Sequence, residues 1–525
     1  MRQDISALNG RSFDVAVIGA GVNGASAAQH LAGAGYNVLL VDKGDYGSGS
    51  SSRSSRLLHC GLRYLAPGDS MWEFARSPNK LRVALRMASQ AMQCRAQMIE
   101  TAPARTKKAN FCFPVYAGGR YSAWQMSLAF RLLEKLGPEA VPLGYRRLQP
   151  QEAGRTPLIR WLRDQDKLEA VAMFDEYSLE WPERICMDAI LDAERLGAVA
   201  RNYTAAAAMK REGGTWTITI ADQFKPGATA KVNAKIVLNT AGIWIDRVNA
   251  TSGGKVKNYI NGTKGAHIMV RLPPDCADYG IATIGRDNEP FYCFPWRGMH
   301  YFGPTETLYD GDPDNVHATD DDIDWLIGEA NHMLPALNLK REHVLFSWAG
   351  VRPLGADPNF PKGKRSREVH DMSGEGMPGV YAMTAGPIMT HRSAGRELTE
   401  LVAGKLKPSR VPQSVSYAAR DFPENQNSPP LLEDYPAIKL SDLEFAARHE
   451  HATSLADIML RRVGAVWTPS MGHAEAEMAA KAAAGAMGWS PERTAGEIKA
   501  YRGEIERVYR ARVDRPVPAV QPRGS

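Results

Sequence analysis

Two short apolar runs near the start of the chain, FDVAVI (13–18) and NVLLVD (37–42), flank an Ala-rich stretch, VNGASAAQHLAGA (22–34), that stops at Gly35. Apolar runs this short that end in glycine read as buried strands. The alanines predict a helix, with the glycine as its natural terminator. Strand, helix and parallel strand make a βαβ unit. Between 72 and 136, WEFARSPNKLRVALRMASQAM and SLAFRLLEKLG carry apolar residues at helical spacing and predict helix through this region. From about 200 to 242, RNYTAAAAMK, TWTITI and KIVLNT predict strands, followed by a loop at Thr240-Ala241-Gly242. The middle section, to about 340, mixes short strands with Pro- and Gly-rich turns. PSRVPQSVSYAARDFPENQNSPP (408–430) predicts a boundary or a wrapping linker, residues 440–513 an all-helical domain, and PVPAVQPRGS an unstructured tail. The pattern places the chain in the α/β class: a Rossmann-like dinucleotide-binding domain, an α+β domain and an all-helical C-terminal domain.

Composition narrows the setting. A chain of 525 residues exceeds one compact core and implies two or three domains. No stretch of 18 apolar residues is present, and MRQDISALNGRSFD lacks the apolar core of a secretory signal, so the expectation is a cytoplasmic protein. Six scattered cysteines without a CxxC pair argue for reduced thiols and against a zinc site or a disulfide framework. The net charge of +6 is small for this length; an anionic substrate or an anionic membrane surface would suit it, and neither is required. Residues 80–108 combine Leu81, Leu85, Met92 and Met98 with Lys80, Arg82, Arg86, Arg95, Arg105, Lys107 and Lys108, and residues 123–136 are strongly apolar. Such a surface can lie on an anionic bilayer or pack on the protein's own core. No motif supports nucleic-acid binding, and the oligomeric state is left open.

Gly19-Ala20-Gly21-Val22-Asn23-Gly24 is a GxGxxG after a strand and opening a helix. The first glycine permits the tight turn, the second lets a pyrophosphate approach the backbone, and the third lets helix and strand pack closely. Asp42 ends the second strand 18 residues after Gly24, where a carboxylate can take ribose hydroxyls. A glycine-rich turn without ligand is the competing reading. GSGSSSRSSRLLHCGLRYL (47–65) then supplies hydroxyls and backbone N–H groups at a density that suits a long cofactor, or a polar surface loop.

SSRSSRLLHCGLRYL resembles the corresponding segment of the FAD-dependent glycerol-3-phosphate dehydrogenases, within the glycine-oxidase-like (D-amino-acid oxidase type) flavoprotein superfamily. The resemblance continues through NTAGIWID, KGAHI, FPWRGMHYFGPTET and WAGVRPL, and resumes in FAARHEHATSLADIMLRR and MGWSPERTAGEI. It implies an FAD-dependent core over 10–425, with cofactor-binding segments at about 10–70, 170–250 and 340–405 interleaved with substrate-domain segments. A helical domain follows over 426–515, and a flexible tail over 516–525. It implies FAD held by Gly19, Gly21, Gly24 and Asp42, with Ser50, Ser51, Ser54, Ser55, His59, Gly61 and Leu62 toward the flavin. Ala206, Gly242, Gly386 and Thr390 would complete the cofactor site. The implied reaction is oxidation of a secondary alcohol to a ketone, with electrons passing to quinone and the enzyme peripheral to the inner face of the cell membrane.

His267 in KGAHI matches the family's histidine and is the candidate proton acceptor, against the ordinary fate of a satisfied core histidine. Arg352 in WAGVRPL matches an arginine at the substrate, where a planar guanidinium can grip phosphate or polarise an oxygen. Arg63 and Tyr64 match substrate contacts, and Arg367 does so more loosely. Lys364, Arg365 and Arg367 read equally well as a solvated basic loop. One departure bears on the substrate: the family's GGKxTTYR segment is AGPIMTHR (385–392) here, with Pro387 in place of lysine and His391 in place of tyrosine. Proline offers neither charge nor donor. His391 or the 364–367 cluster would have to compensate, or the substrate is another polyol phosphate such as a tetritol phosphate, or is unphosphorylated. Cys60 replaces a family glycine, where a small filler is the plain reading and covalent flavin attachment the other. Competing functions are an amine or amino-acid oxidase and a catalytically silent flavin-binding assembly subunit.

Overall fold

Ser12–Ile18 and Val38–Val41 pair in parallel, Val15 opposite Val38 and Ile18 opposite Val41. The helix between them, Val22–Gly33, is buried almost throughout. Its alanines let it sit close between the sheet and the helices Pro182–Arg195 and His391–Ala403. Val199–Arg201, Thr229–Asn239 and Val380–Thr384 extend the parallel sheet, and Glu368–Asp371 edges it. Thr204–Glu212 and Thr215–Asp222 form an antiparallel hairpin on its flank. The four alanines 205–208 are thus in strand despite their helix propensity, because cross-strand pairing to 219–221 overrides it. The computed structural model describes residues 2, 4–65, 77–254, 256–433, 435–512 and 517–523.

A second sheet, of eleven strands among the described residues, carries the other half. Its centre is the long antiparallel pair Ile260–Val270 and Val344–Asp357, registered with Thr263 opposite Arg352 and His267 opposite Trp348. Leu440–His449, the π-helical turn Asp457–Arg462, Ala476–Met487 and Pro491–Tyr509 form the helical C-terminal region. This region shares its core with the second sheet: Trp296, Trp348 and Phe346 pack with Trp467, Tyr501 and Ile505. The linker lies along the first half, where Arg410 N–H donates to Gly35 O at 2.9 Å and Gln413 N–H to Gly33 O at 2.7 Å.

Four expectations need correction. Residues 106–116, read as part of a helical stretch, form the strand Thr106–Tyr116, paired along its length with Leu168–Leu179; residues 72–76 lie outside those described. Pairing to a partner sixty residues away leaves no mark in local periodicity. The middle section holds a 14-residue helix, Asp320–Met333, capped by Thr319. Leu168–Leu179 and Val344–Asp357 belong to the second sheet, so boundaries at about 170 and 340 come too early. In the tail, Val520 is buried and its N–H donates to Arg271 O at 2.9 Å, because an apolar slot on the second sheet receives it.

Candidate active site

At Gly19 and Gly24 the glycine turn is packed to the point where no side chain fits. Gly19 has φ +101°, and a Cβ there would lie 2.6 Å from Ala241 Cα. At Gly24 it would lie 1.8 Å from Gly19 O and 2.6 Å from Thr240 Oγ1. Gly21 precedes the helix and has no side chain to cap it; Ser51 Oγ takes the Val22 N–H at 3.1 Å. The first-turn N–H groups and the helix dipole are the features that receive a pyrophosphate. Asp42 accepts from Ala20 N–H at 2.6 Å and Gly44 N–H at 2.8 Å. Burial raises its pKa to about 6, and a neighbouring hydroxyl donor would favour its charged form.

The serine-rich loop is tied down on both sides. Ser50 Oγ donates to Val351 O at 2.6 Å, Ser51 Oγ accepts from Val22 N–H at 3.1 Å, and Trp348 Nε1 donates to Ser54 O at 3.2 Å. Arg56, at φ +58°, buries its guanidinium between Trp296 and Trp467, 4.5 and 4.2 Å from their ring centres, and pairs with Glu183 at 3.1 Å. A cation so paired and stacked is an anchor for the loop's far end.

Glycine turn, serine loop and the second sheet's central strands enclose a cavity of about 670 Å³. Its lining includes Gly19, Gly21, Asp42, Ser50, Ser51, Ser54, Ser55, His59, Tyr64, Ala206, Gly242, His267, Arg352 and Gly386. The space, the close packing at Gly19 and Gly24 and the helix N-terminus that faces the cavity at Gly21 to Asn23 suit a dinucleotide.

His267 is 1% exposed, stacks on Trp348 (ring centres 4.7 Å, planes 8° apart), and shares a hydrogen bond with Ser55 Oγ through Nε2 at 2.9 Å. Burial, with the charges of Arg352 and Arg56, drives its pKa well below the ordinary histidine value. Its Nδ1 is buried with no protein hydrogen-bond partner among the described residues, an arrangement that usually awaits a ligand or water. The Arg352 guanidinium lies across Gly265, where a Cβ would come within 2.6 Å of it. A neutral base and a fixed cation therefore line one wall.

The other residues singled out from sequence fall elsewhere. Gly24 packs behind the turn, Gly61 lies against Ala88, and Gly61, Leu62 and Thr390 do not line the cavity. Arg367 is held by Glu397 (2.8 Å), Thr390 and Ser393, away from the lining. His391 opens the helix His391–Ala403 with Nδ1 on Ile388 O at 2.7 Å; burial, then Arg392, push its pKa down to about 3, and it cannot serve as a substitute cation. Lys364 pairs with Glu368. The Arg63 side chain lies outside what is described. Cys60 is buried in the apolar core beside Glu176 and does not line the cavity, so its thiol does not meet the cofactor space.

Sequence reasoning overlooked Glu306 and the placement of Arg365. They pair with each other in the wall of the cavity that Pro387 also lines. Burial opposes the Glu306 charge, but Arg365 and then Arg352 hold its pKa below the ordinary value. Glu306 stands in GPTET, inside a segment already marked, so the signal was present. Trp244 was equally missed: its Nε1 donates to Asp314 at 2.9 Å, and Lys43 sits 4.5 Å from its ring centre.

Residues 14–401 match the model of a family described as "DAO: FAD dependent oxidoreductase". The chain is 33% identical to a glycerol-3-phosphate dehydrogenase of Synechocystis sp. over 416 residues, covering 76% of this chain and 72% of that protein. An aerobic glycerol-3-phosphate dehydrogenase of Staphylococcus epidermidis is 28% identical over 411 residues, covering 76% of this chain and 68% of that protein. Among solved structures, the glycerol-3-phosphate dehydrogenase of Bacillus halodurans complexed with FAD superposes with a TM-score of 0.72 at 21% identity, over 98% of each chain. Glycine oxidase of Geobacillus kaustophilus superposes with a TM-score of 0.53 at 19% identity, over 79% of this chain and all of that one.

Proposed function

The chain belongs to the FAD-dependent oxidoreductase (DAO) family and within it to the FAD-dependent glycerol-3-phosphate dehydrogenases, and we propose that it oxidises the secondary alcohol of a polyol phosphate to a ketone. The substrate is glycerol 3-phosphate or a longer relative such as a tetritol phosphate. One observation carries this reading: neutral His267 and cationic Arg352, on neighbouring strands, line the same cavity as the dinucleotide turn.

FAD, when bound, supplies the hydride acceptor. Gly19, Gly21, Asp42, Ser50, Ser51, Ser54, Ser55, Ala206, Gly242 and Gly386 are the residues that would hold it. His267 receives the hydroxyl proton, with Ser55 fixing its ring. Arg352 binds the substrate's anionic oxygen, or stabilises the oxygen that becomes the carbonyl. Pro387 brings no charge, so phosphate affinity rests on guanidinium groups in the wall.

Quinone is the proposed electron acceptor. No helix among the described residues is long and apolar enough to cross a membrane. Val83, Trp124 and Leu128 are exposed on Pro78–Thr101 and Ala123–Leu136, beside Lys80, Arg82 and Arg86. This supports attachment to an anionic bilayer surface. Met92, Met98, Arg95 and Arg105 point inward and do not contribute: Arg95 donates to Asp175 O at 2.8 Å and Arg105 pairs with Asp188 at 2.9 Å.

Anaerobic addition of polyol phosphates to the purified enzyme is expected to bleach the flavin, and quinone in anionic vesicles to restore the colour faster than quinone in neutral ones. If polyol phosphates leave the flavin oxidised while an amine or amino acid bleaches it, the reading is wrong. The rate of flavin reduction at saturating substrate is expected to show no loss from pH 8 down to 6. The sign follows from His267, whose lowered pKa keeps it unprotonated throughout that window. A rate that halves near pH 6.5 would identify some other, ordinarily titrating group as the proton acceptor.

A further inference from the structure

The helical C-terminal region lies beyond the segment that the family model matches, and contributes no residue to the cavity lining. It nonetheless makes a buried network of ion pairs with the rest of the molecule three residues after Asp42. Asp45, 2% exposed, receives Arg462 on both oxygens, Nη1 at 2.8 Å and Nη2 at 2.7 Å, and also Arg461 Nε. Arg461 continues to Asp457 at 2.7 Å, which in turn accepts from Tyr203 Oη at 2.6 Å. Arg462 is locked in place by donating Nε to Glu450 O at 2.8 Å.

The turn that Asp45 belongs to is assembled around it. Asn202 Nδ2 donates to its carboxylate at 2.9 Å and Ser48 Oγ to its carbonyl at 2.7 Å. Tyr203 N–H donates to Gly44 O at 2.8 Å, Thr204 N–H to Asp42 O at 2.6 Å, and Gly47 N–H to Ala20 O at 3.0 Å. The network therefore reaches Asp42, Gly44 and the glycine turn through backbone hydrogen bonds. Two arginines and two carboxylates are a fully compensated set when all four are present. Removing the Arg462 guanidinium takes two donors from the buried Asp45 carboxylate and leaves it Arg461 Nε and Asn202 Nδ2, so the turn loosens as water replaces the missing pair.

We propose that the C-terminal region is a cofactor clamp: through Asp45, Arg462 is a positioning residue that holds the 42–48 turn in the shape that binds the adenosine half of FAD. This rests on the reading that Asp42 and its turn take that half of the cofactor. A turn that is ordered only part of the time binds its ligand more weakly by the fraction ordered. The clamp thus acts on affinity and leaves the chemistry of the loaded enzyme untouched.

The test is the FAD dissociation constant of the full-length holoenzyme, from flavin fluorescence released on dilution, together with the inhibition constant of ADP as a displacing ligand. Arg462→Met is expected to weaken FAD on the order of 30-fold and ADP by the same factor. Arg462→Lys should fall between it and the parent protein, which keeps the test usable if the methionine variant folds poorly. Asp45→Asn combined with Arg462→Met should be no worse than the worse single variant, because both break one contact. Tyr501→Phe, which removes a hydrogen bond to Met471 O inside the helical region, should lower the melting temperature and leave both constants unchanged. Unchanged FAD and ADP constants in Arg462→Met overturn the proposal. So does weakened FAD with unchanged ADP, since the clamp would then act elsewhere. If Asp42→Ala also changes neither constant, the reading of the turn has failed along with the clamp.

Discussion

Arg352→Ala is expected to yield a yellow protein with an unaltered flavin spectrum that no polyol phosphate bleaches, with kcat/KM down by about 10³-fold or more. Arg352 stands on a strand of the second sheet, opposite Thr263, and its guanidinium crosses Gly265. None of the elements that form the dinucleotide turn depend on it. The cation meets either the phosphate or the reacting oxygen, and loss of a single fixed donor at a developing oxyanion costs roughly 10²–10³ in rate. Loss of a charge-assisted phosphate contact adds to KM. Arg352→Lys restores charge but lacks the planar fork, so partial recovery in KM is expected. A variant purified without flavin would show instead that Arg352 belongs to the cofactor's own site.

Gly24→Ala should produce the converse: a chain that folds less stably and is purified without FAD. The added Cβ would stand 1.8 Å from Gly19 O, so either the helix Val22–Gly33 or the turn must move. The turn is tied to its neighbours, Gly19 N–H donating to Val41 O at 2.8 Å and Thr240 Oγ1 to Gly19 O at 2.9 Å, so its movement breaks those bonds. Helix displacement of this kind costs about 1–3 kcal/mol in a well-packed interior. It also withdraws the N-terminal N–H groups from where a pyrophosphate would lie. Gly485→Ala is the matched control: it lies in the helix Ala476–Met487 with open space around it, and should keep full FAD and gain up to about 1 kcal/mol. Stoichiometric flavin in Gly24→Ala would mean that the close packing at this turn is not what the cofactor needs.

The contrast between Arg365 and Arg367 shows what local sequence leaves open. Both sit in one basic run, KRSR, and their spacing offers no way to rank them. In the folded chain Arg365 reaches Glu306 in the cavity wall and Arg367 turns to Glu397 on a neighbouring helix. The carboxylate partners lie 59 and 30 residues away, and only the tertiary arrangement decides which guanidinium meets the cavity. His391 is a similar case: by residue type it is a cation at low pH, and by placement a buried neutral group with no access to the cavity lining.

The sequence by itself determined the βαβ unit, the glycine turn with Asp42 after it, and membership in an FAD-dependent family. Those features are local: a short apolar run, an alanine helix and three glycines at set spacing are each dictated by neighbours in the chain. The tertiary structure alone decided that Thr106–Tyr116 is a strand and that His267 is neutral. It also decided that the helical region closes on Asp45 from more than 400 residues away. Strand pairing, desolvation and buried ion pairs are interactions between groups distant in sequence, and no window of sequence contains both partners.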